Sequence, residues 1–152
     1  MLKKQRERNE EKSPEKINTK KQAKEEDDFK AFKIGDSIAE KLRKMGITSL
    51  FDIQKSVFQP IYSGKNVMAS ALTGSGKTLS FVLPLIQKCL DKGRMTHDGP
   101  LIMVIAPTRE LSIQISKVFS DLSTDVMSFK VATIYGGVSI QDQSKIIVMN
   151  NS

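Results

Sequence analysis

The chain has little that could cross-link it or anchor it in a membrane. Cys89 is the single cysteine among 152 residues, which excludes an internal disulfide framework and favours a reducing compartment. No apolar run approaches the roughly 20 residues of a membrane-spanning helix. The opening run MLKKQRERNEEKSPEK has no apolar stretch behind its charges, so we expect no secretory signal there. We therefore expect an intracellular protein that does not enter membranes.

The first 28 residues also lack the apolar side chains that a core needs. They contain nine Lys/Arg and eight Asp/Glu, with few large apolar residues such as Leu2 and Ile17. Such a segment cannot bury enough surface to offset the entropy lost on ordering. We predict a disordered charged tail over 1–28 and one domain over 29–152. The run KINTKKQAK is either a basic address for nuclear import or part of a solvated tail.

Positive charge exceeds negative charge, and most of the excess lies outside the tail. The formal net charge is +7 at pH 7. A cationic surface favours phosphate-bearing partners, including nucleic acid. An ordinary soluble basic protein would carry the same charge, so charge alone leaves both interpretations open.

The order of apolar patterns predicts an α/β fold. Continuous apolar runs predict strands at 66–71, 100–106 and 129–135, and helical spacing predicts helices at 36–45, 53–62, 77–90 and 108–122. Alternating strands and helices predict βαβ units, with a parallel sheet and helices on both faces. A last apolar run, KIIVM at 145–149, also has the composition of a strand.

The run ALTGSGKT, residues 71–78, has the spacing of a phosphate-binding loop, with Ala71 where the first glycine usually stands. Small residues between a strand and a helix let a phosphate approach the backbone N–H groups at the helix N-terminus. Lys77 can then reach the β- and γ-phosphates, and the Thr78 hydroxyl can bind Mg²⁺. A Gly/Ser-rich linker is the alternative, but the flanking strand and helix patterns favour the P-loop.

Gln54 and Phe29, which precede this loop in the sequence, have side chains that could recognise a base. The Gln54 amide can donate and accept side by side, which matches N6 and N7 of adenine. The Phe29 ring could stack on the face of the base. Taken alone, Gln54 could equally be a solvated glutamine and Phe29 an ordinary core residue.

Together these segments resemble the first RecA-like lobe of the DEAD-box ATP-dependent RNA helicases, over about residues 29–137. GITSLFDIQ is similar to the Q motif, ALTGSGKT to motif I, PTREL to motif Ia, and Gly136-Gly137 to the GG element. Phe29 lies 17 residues before Gly46, the family's spacing for its isolated aromatic residue. The flanking runs LF and IYSGK resemble the Gu-type nucleolar helicases.

The resemblance implies ATP and Mg²⁺ as cofactors and RNA as the partner. It implies that Phe29 stacks on adenine and that Gln54 reads its edge. The phosphates and Mg²⁺ would be bound by one short run: Thr73, Gly74, Ser75, Gly76, Lys77 and Thr78. Within this run, the resemblance implies that Lys77 and Thr78 are the catalytic residues and that Thr78 is the Mg²⁺ ligand. The RNA backbone would contact Pro107, Thr108, Arg109, Gly136 and Gly137. A surface ion pair for Arg109 and an ordinary turn at 136–137 are the alternatives.

Departures from the family limit the expected activity. Leu72 replaces the usual Gln or Arg of motif I, Leu50 replaces the usual Pro of the Q motif, and the chain has no D-E-A-D or S-A-T run. Hydrolysis in this class needs further carboxylates and arginines of a second lobe. We therefore expect a partial RecA-like domain, the N-terminal fragment of an RNA helicase, that binds ATP but hydrolyses it poorly or not at all.

Two other functions stay open. One is a non-catalytic nucleotide- or RNA-binding module. The other is an unrelated P-loop kinase or GTPase, although no downstream N-K-x-D run for base specificity is present. The resemblance also implies the nucleus or nucleolus as the location, with ribonucleoprotein or pre-ribosomal complexes as partners.

Overall fold

The computed structural model describes residues 27–93, 99–122 and 130–150, and these contain six helices. In chain order they are α1 (Asp28–Ala31), α2 (Asp36–Lys44), α3 (Asp52–Tyr62), α4 (Lys77–Lys92), α5 (Arg109–Leu122) and α6 (Ile140–Asn150). The four helices predicted from the spacing of apolar residues correspond to α2 to α5. The tail predicted at 1–28 lies outside the described residues, apart from its last two.

Helix α4 forms the centre of the core. It packs most extensively against α3 and also packs against α5. Val82, Leu83 and Ile86 share one stripe of α4 and have no exposed surface. Pro84 lies inside the same helix and is buried, yet the helix runs unbroken from Lys77 to Lys92. Burial of its neighbours therefore outweighs the backbone donor that proline removes.

Helices α2 and α5 complete the core. Ile38 and Leu42 of α2 are fully buried, as is Leu122 of α5, and Phe119 is nearly so. These side chains form one cluster with those of α4. The N-terminus of α4, where the P-loop is predicted, is thus attached to a helix that lies in the buried core.

The apolar runs predicted as strands connect helices without forming a ladder. None of the residues in the described ranges is in a β-strand, including those at 66–71, 100–106 and 130–135. Several of their side chains face solvent, with Met103 and Ile105 exposed by 76% and 89%. The parallel sheet therefore stays a prediction.

The strand predicted at 145–149 is wrong, because α6 spans this run. Ser139 starts the helix: its hydroxyl accepts a hydrogen bond from the Asp142 N–H at 3.4 Å, and its carbonyl accepts one from the Gln143 N–H at 3.2 Å. A capped helix start satisfies N–H groups that a strand could satisfy only through a partner. The β-propensity of Ile146 and Ile147 depends on such a partner.

Candidate functional site

The P-loop prediction falls on a turn that leads directly into α4. Gly74 and Gly76 have left-handed φ angles of +83° and +77°, and Gly76 is the N-cap of the helix. The Ser75 hydroxyl donates to the Leu72 carbonyl at 2.7 Å, and this hydrogen bond closes the turn. Helix α4 is 16 residues long, so its dipole and first N–H groups favour an anion at this end.

Gly76 is required by its surroundings as well as by its backbone angle. A Cβ atom at this position would lie 2.3 Å from Nε2 of Gln54 and 2.9 Å from Cδ2 of Phe51. Gly74 has a similar angle, but a Cβ there would meet nothing within 4 Å. The two glycines therefore serve different purposes, since only Gly76 allows α3 to approach the loop.

Lys77 bends back onto the loop that precedes it. Its ammonium donates to the carbonyl oxygens of Ala71 at 2.6 Å and Leu72 at 2.5 Å. The side chain is exposed, so these carbonyls hold the charge beside the loop without burying it. Thr78 follows in the first turn of α4 and is half-buried, while Thr73 is exposed.

Gln54 joins α3 to the loop before α4, where the P-loop is predicted. The side chain is only 3% exposed. Its Oε1 accepts from the Phe51 N–H at 2.9 Å, and its Nε2 donates to the Gly76 carbonyl at 3.2 Å. Both ends of the amide thus have protein partners in this structure, and recognition of adenine by Gln54 stays a prediction.

The structure places Phe29 in the core. The side chain is 1% exposed, and the Arg43 guanidinium lies over its ring at 5.2 Å from the centroid. Arg43 is held there by an ion pair with Asp27 at 2.9 Å. Stacking of Phe29 on adenine stays a prediction, and stacking on the face that Arg43 covers would require Arg43 to move.

Asp28 contacts the start of α3, a position that the sequence did not indicate. Its Oδ2 accepts from the Leu50 N–H at 2.9 Å, and its Oδ1 lies 2.9 Å from Nζ of Lys55. The hydrogen bond from Lys55, followed by that from Leu50, holds the pKa of Asp28 below its ordinary value. The carboxylate is therefore ionised at neutral pH, and its stabilising contribution is lost only as the pH falls below that ordinary value.

A shallow groove lies between α3 and the loop before α4. Its volume is about 550 Å³. It is lined by the start of α3 and by the loop: Phe51, Asp52, Ile53, Ser56, Ser70, Ala71, Leu72, Gly74 and Ser75. The groove places the N-terminal turn of α3 beside the loop that is predicted to hold phosphates.

A second cluster connects the two elements that are predicted to touch RNA. The Arg109 guanidinium lies over the Tyr135 ring at 4.4 Å from the centroid. Thr108 starts α5, and its hydroxyl accepts from the Leu111 N–H at 3.2 Å. Among the described residues Arg109 forms no ion pair, so the alternative interpretation of this residue finds no support there. Pro107 is exposed beside it.

Gln143 holds the backbone on the other side of this cluster. Its Oε1 accepts from the Tyr135 N–H at 2.9 Å, and its Nε2 donates to the Tyr135 carbonyl at 3.2 Å. Gly136 and Gly137 follow Tyr135 and are exposed, and Gly137 has a φ of +85°. Tyr135 and Gln143 had no signal in the sequence, because their importance comes from what they contact.

The described residues contain neither a metal-binding cluster nor a membrane-spanning helix. Within the described ranges, no group of three or more His, Cys, Asp or Glu could hold a metal ion, so the predicted Mg²⁺ site rests on the Thr78 hydroxyl. The same residues include no helix that is long and apolar enough to span a bilayer.

Comparisons with known proteins point to one family. The family model described as DEAD/DEAH box helicase matches residues 51–151. ATP-dependent RNA helicase DDX50 of Mus musculus is 42% identical over 118 residues, which cover 76% of this chain and 16% of the relative. Nucleolar RNA helicase 2 of Rattus norvegicus is 44% identical over 112 residues, which cover 72% of this chain and 14% of the relative. The chain thus spans only about a sixth of the length of these relatives.

A solved structure shares the arrangement of the described residues. A DEAD box protein from the hyperthermophile Methanococcus jannaschii matches with a TM-score of 0.68 and 34% identity. The match covers 78% of this chain and 31% of that protein. The two chains therefore share a fold over most of the length of this one.

Proposed function

Because the chain belongs to the DEAD/DEAH box helicase family, we propose that it is the ATP- and RNA-binding part of an ATP-dependent RNA helicase. One observation carries the proposal: a loop with two left-handed glycines leads directly into α4, and the Lys77 ammonium lies against that loop. Such a loop presents backbone N–H groups and a positive charge to a triphosphate.

Each residue of the loop has a role in this proposal. Residues 73–76 would surround the phosphates with backbone N–H groups. Lys77 would exchange the carbonyls of Ala71 and Leu72 for the β- and γ-phosphate oxygens. Thr78 would bind Mg²⁺ through its hydroxyl, and phosphate oxygens and water would complete the coordination shell. When bound, Mg²⁺ neutralises charge on the phosphates.

The adenine would lie beside α3. We propose that Gln54 reads the base edge from its position at the Gly76 carbonyl, and that the Phe29 ring becomes accessible when Arg43 moves.

We also propose that 66–71, 100–106 and 130–135 pair in a parallel sheet with helices on both faces. Slow exchange of the backbone amides at 102–105 in deuterated water would support that sheet, and rapid exchange of all of them would contradict it.

RNA would bind at Arg109 and at the Gly136-Gly137 turn. Both lie at Tyr135, and the guanidinium and the free N–H groups of the α5 N-terminus suit a phosphate of the backbone. Since the contact is to phosphate, we expect affinity with little dependence on sequence.

Changing Arg109 to alanine should weaken RNA binding and reduce its salt dependence. Loss of one phosphate contact lowers the slope of log affinity against log salt by about 0.7 for a single strand. Fluorescence anisotropy of a labelled single-stranded RNA at several salt concentrations measures this slope. Lys117→Ala is the matched control, because Lys117 is an exposed cation on the same helix. Equal slopes for Arg109→Ala and the control would contradict the assignment.

The alternative is a non-catalytic nucleotide- or RNA-binding module, which would need no D-E-A-D run, and the 152 residues contain none. For the isolated chain we propose binding of ATP with little or no hydrolysis, and this property is common to both interpretations. Release of phosphate, with and without RNA, should not exceed that of Lys77→Ala. Release well above this control would show a catalytic chain and contradict the expected loss of hydrolysis.

We propose a nuclear or nucleolar location, with ribonucleoprotein or pre-ribosomal complexes as partners. The support is the name of the nucleolar relative and the run KINTKKQAK. A maize relative, DEAD-box ATP-dependent RNA helicase 3B, is named as chloroplastic, so the family does not fix the compartment. Imaging of a fluorescently tagged chain tests the location, and exclusion from the nucleus would contradict it.

A further inference from the structure

Asp28 connects two positions that lie on either side of Gln54 in the chain. Its Oδ2 accepts from the Leu50 N–H, in the loop before α3, and its Oδ1 pairs with Nζ of Lys55, on the first turns of α3; both distances are 2.9 Å. The Asp28 side chain is 17% exposed, so water screens the pair only in part. One carboxylate thus holds the start of α3 from both sides.

Gln54 depends on that position of α3. It reaches the P-loop through its contact with the Gly76 carbonyl at 3.2 Å and is oriented by the Phe51 N–H at 2.9 Å. A small rotation or slide of the first turn of α3 would move the amide away from Gly76. The contacts of Asp28 with Leu50 and Lys55 oppose such movement.

We infer that Asp28 is a positioning residue for the choice of base: by holding Leu50 and Lys55, it keeps the Gln54 amide beside the Gly76 carbonyl, from where it is proposed to read the edge of an adenine nucleotide. The inference rests on the proposed function. Asp28 itself contacts no nucleotide in the proposed arrangement. The loop at 73–78 has its own hydrogen bonds, and binding of the triphosphate should therefore depend on Asp28 much less than base selectivity does.

Base selectivity and phosphate binding can be measured separately. Fluorescent ATP and GTP analogues with Mg²⁺ report affinity for the two bases, and competition by inorganic triphosphate reports affinity for phosphate alone. The variants are Asp28→Asn, which keeps an acceptor for Leu50 but loses the ion pair, and Lys55→Ala, which removes the other partner. Asp36→Asn is the control, since Asp36 is an exposed aspartate in the first turn of α2.

The wild type and Asp36→Asn should prefer the ATP analogue. In Asp28→Asn and Lys55→Ala the ratio of ATP to GTP affinity should fall by about 3- to 10-fold, the effect of roughly one hydrogen bond. The affinity for inorganic triphosphate should change less than 2-fold, because neither substitution alters the hydrogen bonds of the loop at 73–78. Two variants are used so that poor folding of one does not decide the result.

Other results would overturn the inference. An unchanged ATP-to-GTP ratio in both variants would show that Asp28 does not direct base choice. Equal losses for both analogues and for inorganic triphosphate would show a purely structural role. A wild type that binds ATP and GTP equally would overturn this inference and leave phosphate binding intact. A wild type that binds none of the three would overturn the proposed function and the inference with it.

Discussion

Replacing Lys77 with alanine should weaken binding of a fluorescent ATP analogue with Mg²⁺ by about 10- to 100-fold. A hydrogen bond to a charged group contributes about 1.5–3 kcal/mol, and each 1.4 kcal/mol is a factor of ten in affinity. In the free protein the ammonium bonds to two exposed loop carbonyls, which water can satisfy after the substitution. The change should therefore act on the bound state and leave folding almost unaffected.

Lys92→Ala is the matched control for this measurement. Lys92 is the last residue of α4 and is exposed, so it shares the helix and the charge of Lys77 but lies at the opposite end. Its removal should leave the titration unchanged. Superimposable curves for wild type and Lys77→Ala, with both proteins folded by circular dichroism, would contradict a phosphate site at this loop.

The glycine-containing turn before α4 and the helices α2 to α5 could be predicted because their signals are local. Gly74, Gly76 and Lys77 stand at fixed spacings within one turn, and the apolar stripe of α4 repeats within its own length. Nothing distant has to be known for either. The structure accordingly places the loop and α4 where the sequence predicts them.

The contacts around the site could not be predicted, because they join distant parts of the chain. Asp28 belongs by composition to the charged tail, yet its partner Leu50 is 22 residues away. The same is true of Arg109 and Tyr135, which come from the start of α5 and from the turn before α6. A single sequence without related sequences carries no signal for such pairs.

The apolar runs show the same limit in another form. Residues 145–149 have the composition of a strand but form part of α6, which has a capped start. A strand needs a partner for its backbone hydrogen bonds, whereas a helix forms most of them within itself. The spacing of Phe29 to Gly46 predicts a place at a nucleotide, and this stays a prediction. The spacing carries no signal for the burial of Phe29 against Arg43 and the core. The position of Phe29 therefore follows from its packing, which the sequence pattern does not show.

Gly76→Ala should destabilise the protein by about 2–4 kcal/mol and weaken binding of the ATP analogue as well. About 1–2 kcal/mol comes from placing a Cβ at a left-handed φ, and a comparable amount from overpacking. The new Cβ would lie 2.3 Å from Nε2 of Gln54, so either α3 or the loop has to move. Urea unfolding followed by circular dichroism measures the change in the free energy of unfolding.

Two further variants separate strain from overpacking. Gly74→Ala has the same kind of backbone strain, but its Cβ would meet nothing within 4 Å, so it should lose only about 1–2 kcal/mol. Gln54→Ala removes the nearer atom, so in a double-mutant cycle it should reduce the cost of Gly76→Ala by about 0.5–2 kcal/mol. Additive effects of the two substitutions would show that Gln54 and Gly76 are not packed against each other. The contact between α3 and the loop before α4, on which the proposed recognition of the base depends, would then be absent in solution.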